Sequence, residues 1–367
     1  MPGSSNLPAS ILFVQKRPIR AGAQTSLARM VESTPLRELA PVVLVGGHGW
    51  LEEQLQRQQV PVAVTRFVSP RGFAGRLFGL GSFASRVACQ LERRSIHPTA
   101  IIANDHQECP LALALAKALG HVPVLGILRT PGMTRMDFDK YDCDRCDGLM
   151  GEGKELRDRL TKWANKPVAL FEEGFMESEF MPLKPIPASC PRRVLVAGSE
   201  APRKGFTDFI EAVHRMEARL PDFGGFECDL TGAPPSGSQA LLAKPSRSSF
   251  KFLGRVEGFA NLVRQYDLAV HPSRAETFGM APIEAMLAGT PTLVSTTGVV
   301  AELDLPTAWT FPPGDIATLT DRLVALWQHW PQLGLDLSEV RAQIRRRYHI
   351  DHTAGFVRRE LEELGIH

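Results

Sequence analysis

The chain has 367 residues, 44% of them hydrophobic, and a formal net charge of +2. That suffices for two domains with sizeable cores, and the near-neutral charge excludes a strong polyelectrolyte partner such as nucleic acid. No apolar run reaches the ~20 residues of a membrane-spanning helix, and the first residues lack the pattern of a signal peptide, so a cytoplasmic protein is expected. Six scattered cysteines fit reduced thiols. Cys143 and Cys146 form one CxxC without a partner pair and read as ordinary thiols on a short helix.

Residues 1–9 are polar and contain proline, a frayed end. Residues 11–14 are the first strand, 15–22 a loop, and a helix starts near Ala23. Strands at 42–45 and 62–64 flank a helix over 51–59. In the stretch 71–94, Phe73, Leu77, Phe78, Leu80, Phe83 and Val87 alternate with Arg71, Arg76, Arg86, Arg93 and Arg94. An apolar face rimmed by arginines suits an anionic membrane surface, and equally a core helix with a solvated basic face; Gly72, Gly75, Gly79 and Gly81 weaken the helix. A strand over 99–103 precedes a helix over 109–119. The apolar run 122–128 fits a parallel strand covered on both faces. Short strands at 149–150 and 168–171 complete a first sheet. Strands separated by helices predict a doubly wound α/β domain.

Pro182, Pro185, Pro187 and Pro191 mark 177–191 as a linker, dividing the chain into 1–185 and 186–349. The second half repeats the alternation. Strands fall at 194–197, 226–231, 250–253 and 267–270. Helices fall at 206–220, 239–243, 259–264, 316–327, 337–348 and 353–364. Two βα domains place a ligand site in a cleft at the carboxyl ends of their strands.

The segment 271–302 reads HPSRAETFGMAPIEAMLAGTPTLVSTTGVVAE. A loop follows the strand 267–270. Gly279 and Pro282 open an apolar helix over 283–288, Gly289-Thr290-Pro291 ends it, and 292–294 is the next strand. Glu276 stands in the loop and Glu284 in the first turns of the helix. Thr277, Phe278, Gly279 and Met280 bring backbone N–H groups to a helix N-terminus, which binds anions and oxygens well. A carboxylate beside it accepts hydrogen bonds from hydroxyls.

The pattern HPSxxExFGxxxxEAMxxGxP resembles the donor-site signature of the retaining glycosyltransferases of family 4. That resemblance implies a GT-B fold, two Rossmann-like domains facing across a cleft, with the C-terminal helix in 350–367 crossing back onto the first. It implies that Glu276 touches hexose hydroxyls and Glu284 the nucleotide ribose. The loop 198–205, GSEAPRKG, resembles the family's GRxxxxKG diphosphate loop. Lys204 matches its lysine. Ser199 stands where its arginine belongs, and Arg203 would supply that charge. No DxD-like element ends a strand, so Lys204 and Arg203 are expected to act without a metal or other cofactor. Gly298 and Glu302 resemble the family's GGxxE element, Gly232 its TGxGP turn near the base with Arg255 and Val256, and Gly22 its N-terminal glycine loop.

In the first domain Arg129 ends the strand 122–128, where relatives often carry a histidine. It would grip an acidic acceptor or a phosphate. Asp105, with Asn104 and His106, would orient the acceptor hydroxyl or act as base. His271 packs or caps. The expected function is retaining, metal-independent sugar transfer from a nucleotide-sugar donor to a glycan or lipid-linked acceptor. The setting implied by the family is bacterial surface polysaccharide or lipopolysaccharide assembly, peripheral on the inner membrane face. Two other readings stay open: a sugar-nucleotide epimerase of the same fold, using Asp105, His106 and Glu108, or a nucleotide-sugar-binding protein without transfer.

Overall fold

The computed structural model describes residues 10–67, 73–183, 185, 189–198, 201–330 and 336–367, with backbone alone over 73–78. The chain divides into two compact units: Met1–Phe175 with Tyr348–His367, and Met176–Arg347.

The first unit contains β1 (Ser10–Gln15), β2 (Val42–Val45), β3 (Val62–Val64), β4 (Pro98–Ala103), β5 (Val124–Leu128), β6 (Gly148–Glu152) and β7 (Ala169–Phe171). Among the described residues these form one parallel sheet in the order β3-β2-β1-β4-β5-β6-β7. Every residue of β1, β2 and β5 is buried, because helices cover both faces of the sheet. The chain moves outward from β1 through β2 and β3, then returns to β4 on the other side of β1. The loops after β1 and β4 therefore diverge at a topological switch point. β5 begins two residues later than the apolar run. Pro123 has no N–H and contributes only its carbonyl, which accepts from Ile101 N–H at 2.9 Å.

The stretch 71–94 is resolved by its helix, Phe73–Glu92, which breaks at Gly79 with φ 66° and ψ 152°. After the break, Phe83, Val87 and Leu91 are buried in the core, while Arg86, Arg93 and Arg94 are exposed. There the apolar face is a core face, which corrects the membrane-facing reading for residues 79–94. Arg71 and Gly72, and the side chains of 73–78, lie outside the described residues.

The C-terminal helix Ile350–Glu363 packs on the helices Gly22–Glu32 and Thr34–Arg37 and on β7. Backbone pairing brings it there: Phe175 N–H donates to Tyr348 O at 2.9 Å and Ile350 N–H to Phe175 O at 3.0 Å. It buries Ile350, Ala354, Val357 and Leu361.

The second unit contains β8 (Arg193–Val196), β9 (Glu227–Leu230), β10 (Ser249–Phe252), β11 (Leu268–His271), β12 (Thr292–Ser295) and β13 (Thr310–Phe311). Among the described residues they form a parallel sheet in the order β10-β9-β8-β11-β12-β13, again reversing direction beside its first strand. The unit starts before the prolines. Met181 N–H donates to Leu287 O at 3.1 Å, and Arg345 grips Glu177 at 2.8 and 3.0 Å. Residues 176–181 are thereby tied to this unit.

Leu361 is fully buried where the last helix meets the first unit. Leu361→Ala should lower the free energy of unfolding by about 2–5 kcal/mol, the usual cost of a core leucine with its cavity. A urea melt showing a change under about 1 kcal/mol would mean that this helix is not integral to the unit.

Candidate functional site

Three loops meet at the carboxyl ends of β8, β11 and β12. The first carries the turn Pro202–Lys204 and ends at Gly205, whose φ is +68°. A Cβ at Gly205 would lie 1.9 Å from Pro272 O, so the loops after β8 and β11 touch backbone to backbone. Arg274 N–H, donating to Arg203 O at 2.6 Å, locks them together. The third loop is fixed the same way. Gly298 has φ +55°, a Cβ there would lie 2.3 Å from Phe278 O, and Val299 N–H donates to that oxygen at 2.8 Å.

Glu276 lies where the loops converge. Lys204 Nζ donates to its Oε1 at 2.7 Å and Arg203 to its Oε2 at 3.1 Å. Arg203 also donates to Ala275 O at 3.1 Å. Burial pushes the Glu276 carboxyl up, but the charge and hydrogen bond of Lys204, with Ser273 and Arg203, bring it below the usual range. Glu276 is therefore ionised at neutral pH. Burial, then the charge of Lys204, pushes His271 down to about 3 against the opposing pull of Glu276. His271 is thus neutral and packed inside the unit, as expected. Arg274 is held away from the group by two bonds to Asp208, at 2.6 and 2.8 Å.

The helix Met280–Leu287 starts beside this carboxylate. Its N-cap is Gly279 at φ +93°, with no side-chain cap and no acidic residue in the first turn. The N-terminus of a helix carries a partial positive charge, and no side chain of the N-cap residue answers it here. The helix starts earlier than residue 283 because Gly279 adopts the left-handed conformation that launches it. Glu284 lies one turn in. Gly232 pairs with Gly254 by N–H···O bonds of 2.6 and 3.1 Å, which sets exposed Arg255 at the ends of β9 and β10. Glu302 ends the turn Gly298–Glu302, and its carboxylate pairs with Arg347. Ser199 lies outside the described residues.

In the first unit Arg129 is 5% exposed. Its guanidinium donates to Glu173 Oε1 at 2.6 Å, Ser26 Oγ at 2.8 Å and Asn104 Oδ1 at 3.0 Å, and lies 4.3 Å over the ring of Phe171. This corrects the expectation that Arg129 grips an acceptor or phosphate: its charge is spent on a buried partner. Asp105 is also engaged. It accepts from His106 N–H and Nδ1, Arg129 N–H and Thr130 Oγ at 2.8–3.1 Å. Burial raises this carboxyl, but His106 and the Arg129 N–H bring it below the usual range. Asp105 fastens the turn after β4 to the end of β5. Gly22 is the exposed first residue of its helix.

Cys109, Cys143 and Cys146 are free and fully buried. Thiol hydrogen bonds from Cys143 and Cys146, and then burial, push Cys109 well above the ordinary thiol range, so it is inert at neutral pH. Cys143 opens the short turn Cys143–Arg145. Among the described residues no group of three His, Cys, Asp or Glu side chains is placed to hold a metal ion.

Residues 191–329 match the family model described as glycosyl transferases group 1. That segment is therefore similar to the glycosyl transferases group 1 family. An uncharacterized glycosyltransferase of Methanocaldococcus jannaschii is 38% identical over 88 residues, 22% of this chain and 23% of that protein. The lipopolysaccharide core biosynthesis mannosyltransferase LpsB of Rhizobium meliloti is 24% identical over 171 residues, 44% of this chain and 49% of the relative. The matched regions thus span less than half the length of either relative. The crystal structure of Anabaena HepE in complex with UDP and glucose is similar over 96% of this chain and 99% of its own, with a TM-score of 0.75 and 18% identity. The fold is therefore the two-domain, Rossmann-like GT-B fold.

Within the matched segment, the structure brings together Glu276, Lys204, Arg203, Phe278, Gly279 and Gly298. Arg255 and Gly232 stand at the ends of other strands. Two buried carboxylates in the first unit escaped sequence reasoning as structural parts: Glu173, and Glu108 at the turn after β4. Burial, then the charge of Asp105, pushes Glu108 up to about 8, although Lys16 N–H donates to its Oε1 at 2.9 Å. A buried glutamate has no local sequence signal, since its partners come from other strands.

Glu108 gives a signed pH prediction. Its folded pKa, about 8, lies above its ordinary value of 4.5, so its favourable contribution is full below pH 4.5 and lost as pH rises towards 8. Glu108→Gln keeps the acceptor for Lys16 N–H and cannot ionise. Its stability relative to the parent should rise from pH 4.5 to pH 8. A constant difference across that range, read by denaturant melts, would show that Glu108 does not titrate there.

Proposed function

We propose that this chain is a retaining glycosyltransferase, moving a sugar from a nucleotide-sugar donor to a glycan or lipid-linked acceptor. The observation that carries this is the Glu276–Lys204–Arg203 group beside an uncapped helix N-terminus, inside a domain of the matched family. HepE holds UDP and glucose, and LpsB is named for mannose transfer in lipopolysaccharide core synthesis, which supports a nucleotide donor and a surface-glycan acceptor. Among the described residues no helix is long and apolar enough to cross a membrane. We take the enzyme to work in the cytoplasm, on acceptors at the inner membrane face.

The electrostatics suggest how the donor engages. Lys204 and Arg203 each hold one oxygen of Glu276. An arriving diphosphate offers them a stronger, multiply charged partner. As the cations turn to it, the Glu276 carboxylate is released to accept hydrogen bonds from sugar hydroxyls. Glu284 accepts from the ribose hydroxyls, and the N–H groups at Gly279 and Met280 face the anionic oxygens. Charge grows on the diphosphate as the sugar leaves, so fixed cations stabilise the transition state more than the bound donor. The departing diphosphate takes the acceptor's proton, and the sugar keeps its configuration. No resident cofactor or metal is required.

Lys204→Ala should lower turnover by about 10²-fold and alter the donor's Michaelis constant less, while EDTA leaves the parent's rate unchanged. Loss of activity in EDTA, restored by magnesium or manganese, would sink the metal-free mechanism. Incubation with UDP-glucose, GDP-mannose and a lipopolysaccharide-core acceptor separates transfer from isomerisation of the donor alone.

Glu284→Ala should weaken nucleoside diphosphate binding by about 1.5–3 kcal/mol, the worth of a charge-assisted hydrogen bond. Unchanged affinity by calorimetry, in a folded variant, removes Glu284 from the site.

A further inference from the structure

We propose that Arg347 is a positioning residue for the donor site, and that Glu302 serves as its anchor rather than as a donor contact. Resting on the glycosyltransferase reading, the turn Gly298–Glu302 borders the donor. That turn is five residues of 3₁₀ helix, and its N-cap residue offers no side-chain cap. Its start is fixed against the carboxylate at the centre of the site. A Cβ at Gly298 would lie 3.2 Å from the Cβ of Glu276, and Val299 N–H donates to Phe278 O at 2.8 Å. A shift of the turn therefore reaches Glu276 directly. Val299 and Val300 are buried, and Glu302 forms the far end.

The far end is held by the helix Leu337–Tyr348. Leu337, Val340, Ile344 and Tyr348 form the buried stripe of that helix. Gln343 and Arg347, four residues apart, share one flank of the stripe. Gln343 Oε1 accepts from Asp304 N–H at 3.0 Å. The Arg347 guanidinium donates to Glu302 O at 3.4 Å and pairs with the carboxylate of the same residue. One planar fork thus holds both the main chain and the side chain of Glu302, which fixes the direction of the turn as well as its place. A lysine ammonium offers no such fork. Glu302 Oε2 is committed to Arg347, so this carboxylate is anchored at the helix.

The opposite flank of the same helix holds the segment by which the chain enters the unit. Arg341 donates to Met181 O at 2.6 Å, and Arg345 grips Glu177 and lies 4.2 Å over the ring of Phe180. These two are again four residues apart. The helix is thereby braced, and Arg347 acts from a fixed base. Arg345, Arg346 and Arg347 all stand in the last turn, where any cation suits the helix dipole. Arg346 pairs with Glu339 of its own helix at 3.5 Å. What sets Arg347 apart is its partner, not its charge. Its side chain is 42% exposed and that of Glu302 24%, so the pair adds little to stability. Its effect lies in the orientation of the turn.

The test is a double-mutant cycle on the full chain, read as UDP and GDP affinity by calorimetry. Arg347→Ala and Glu302→Ala should each weaken binding about fivefold, the most that a part-exposed ion pair contributes. The double variant should bind no more weakly than either single variant, because all three remove one contact. In transfer assays the donor's Michaelis constant should rise by the same factor, with kcat and thermal unfolding unchanged. Arg347→Lys, the second variant, keeps the charge without the fork and should also lose affinity. Arg346→Ala should bind like the parent. Losses that multiply in the double variant would make Glu302 a donor contact in its own right and overturn the proposal. Parent-like affinity in Arg347→Ala overturns it too, as does an equal loss in Arg346→Ala, which would reduce the effect to helix charge. A parent that binds neither UDP nor GDP overturns the donor reading and this inference with it. Diphosphate binding that ignores Arg347 overturns this inference alone.

Discussion

The second unit depends on two points where backbone meets backbone with no room for a side chain. Gly205 lies on the carbonyl of Pro272, and Gly298 on that of Phe278. These contacts draw three loops from three different strands into one place. Only then does Glu276 find Lys204 and Arg203 on its two oxygens. A β-carbon at either glycine would separate the loops by more than the reach of a hydrogen bond. The ion pairs are the outcome of that packing, not its cause. Partly buried ion pairs return little more than their own desolvation, so they could not assemble the loops alone.

The same accounting distinguishes the charged groups of the two units. Arg129 and Glu173 form a pair that is almost wholly buried, and Ser26, Asn104 and Phe171 surround the guanidinium. Removing either partner would strand a charge in a low-dielectric core, a cost of about 3–5 kcal/mol. No incoming ligand competes well for such a group. Arg203, by contrast, is 41% exposed at the side chain, and Lys204 18%. Their bonds to one carboxylate can be traded for bonds to another anion without stranding charge. The difference between a structural and a ligand-binding cation therefore lies in what closes around it.

The strands were legible because parallel strands buried on both faces leave continuous apolar runs, as at 42–45 and 122–128. Helix starts were less so. Residue 280 rather than 283 opens the helix with Glu284, because the left-handed conformation at Gly279 overrides the apolar pattern that begins at Ile283. β13 spans only Thr310–Phe311, too short for any periodicity to register. The prolines of 177–191 suggested a linker, yet the contacts of Glu177 and Met181 tie the start of that segment to the second unit. Among site residues, Glu276 and Lys204 come from motifs with fixed spacing and stand together. Arg129 was misread because Glu173, its partner, lies 44 positions away and nothing local announces the pair. The stretch 71–94 shows the remaining limit: an amphipathic pattern states that one face is apolar, not whether protein or lipid covers it.

Both units place their loops at the carboxyl ends of parallel strands beside a reversal of strand order, yet they treat charge there differently. In the second unit the exposed cations are already answered by Glu276, so an anion must displace an internal partner and in doing so frees a carboxylate for hydroxyls. In the first unit Arg129, Asp105 and Asn104 are consumed in holding strand ends together, and Lys16 and Arg17 stand outside that network. The inward network is what keeps the outward charges in place, since Glu108 and Asn104 grip the backbone at both ends of the loop after β1. A polar group that escapes a structural role at such a sheet edge does so because its neighbours have accepted one. That division is the physical ground for seeking ligands at Glu276, and not at the more deeply buried arginine.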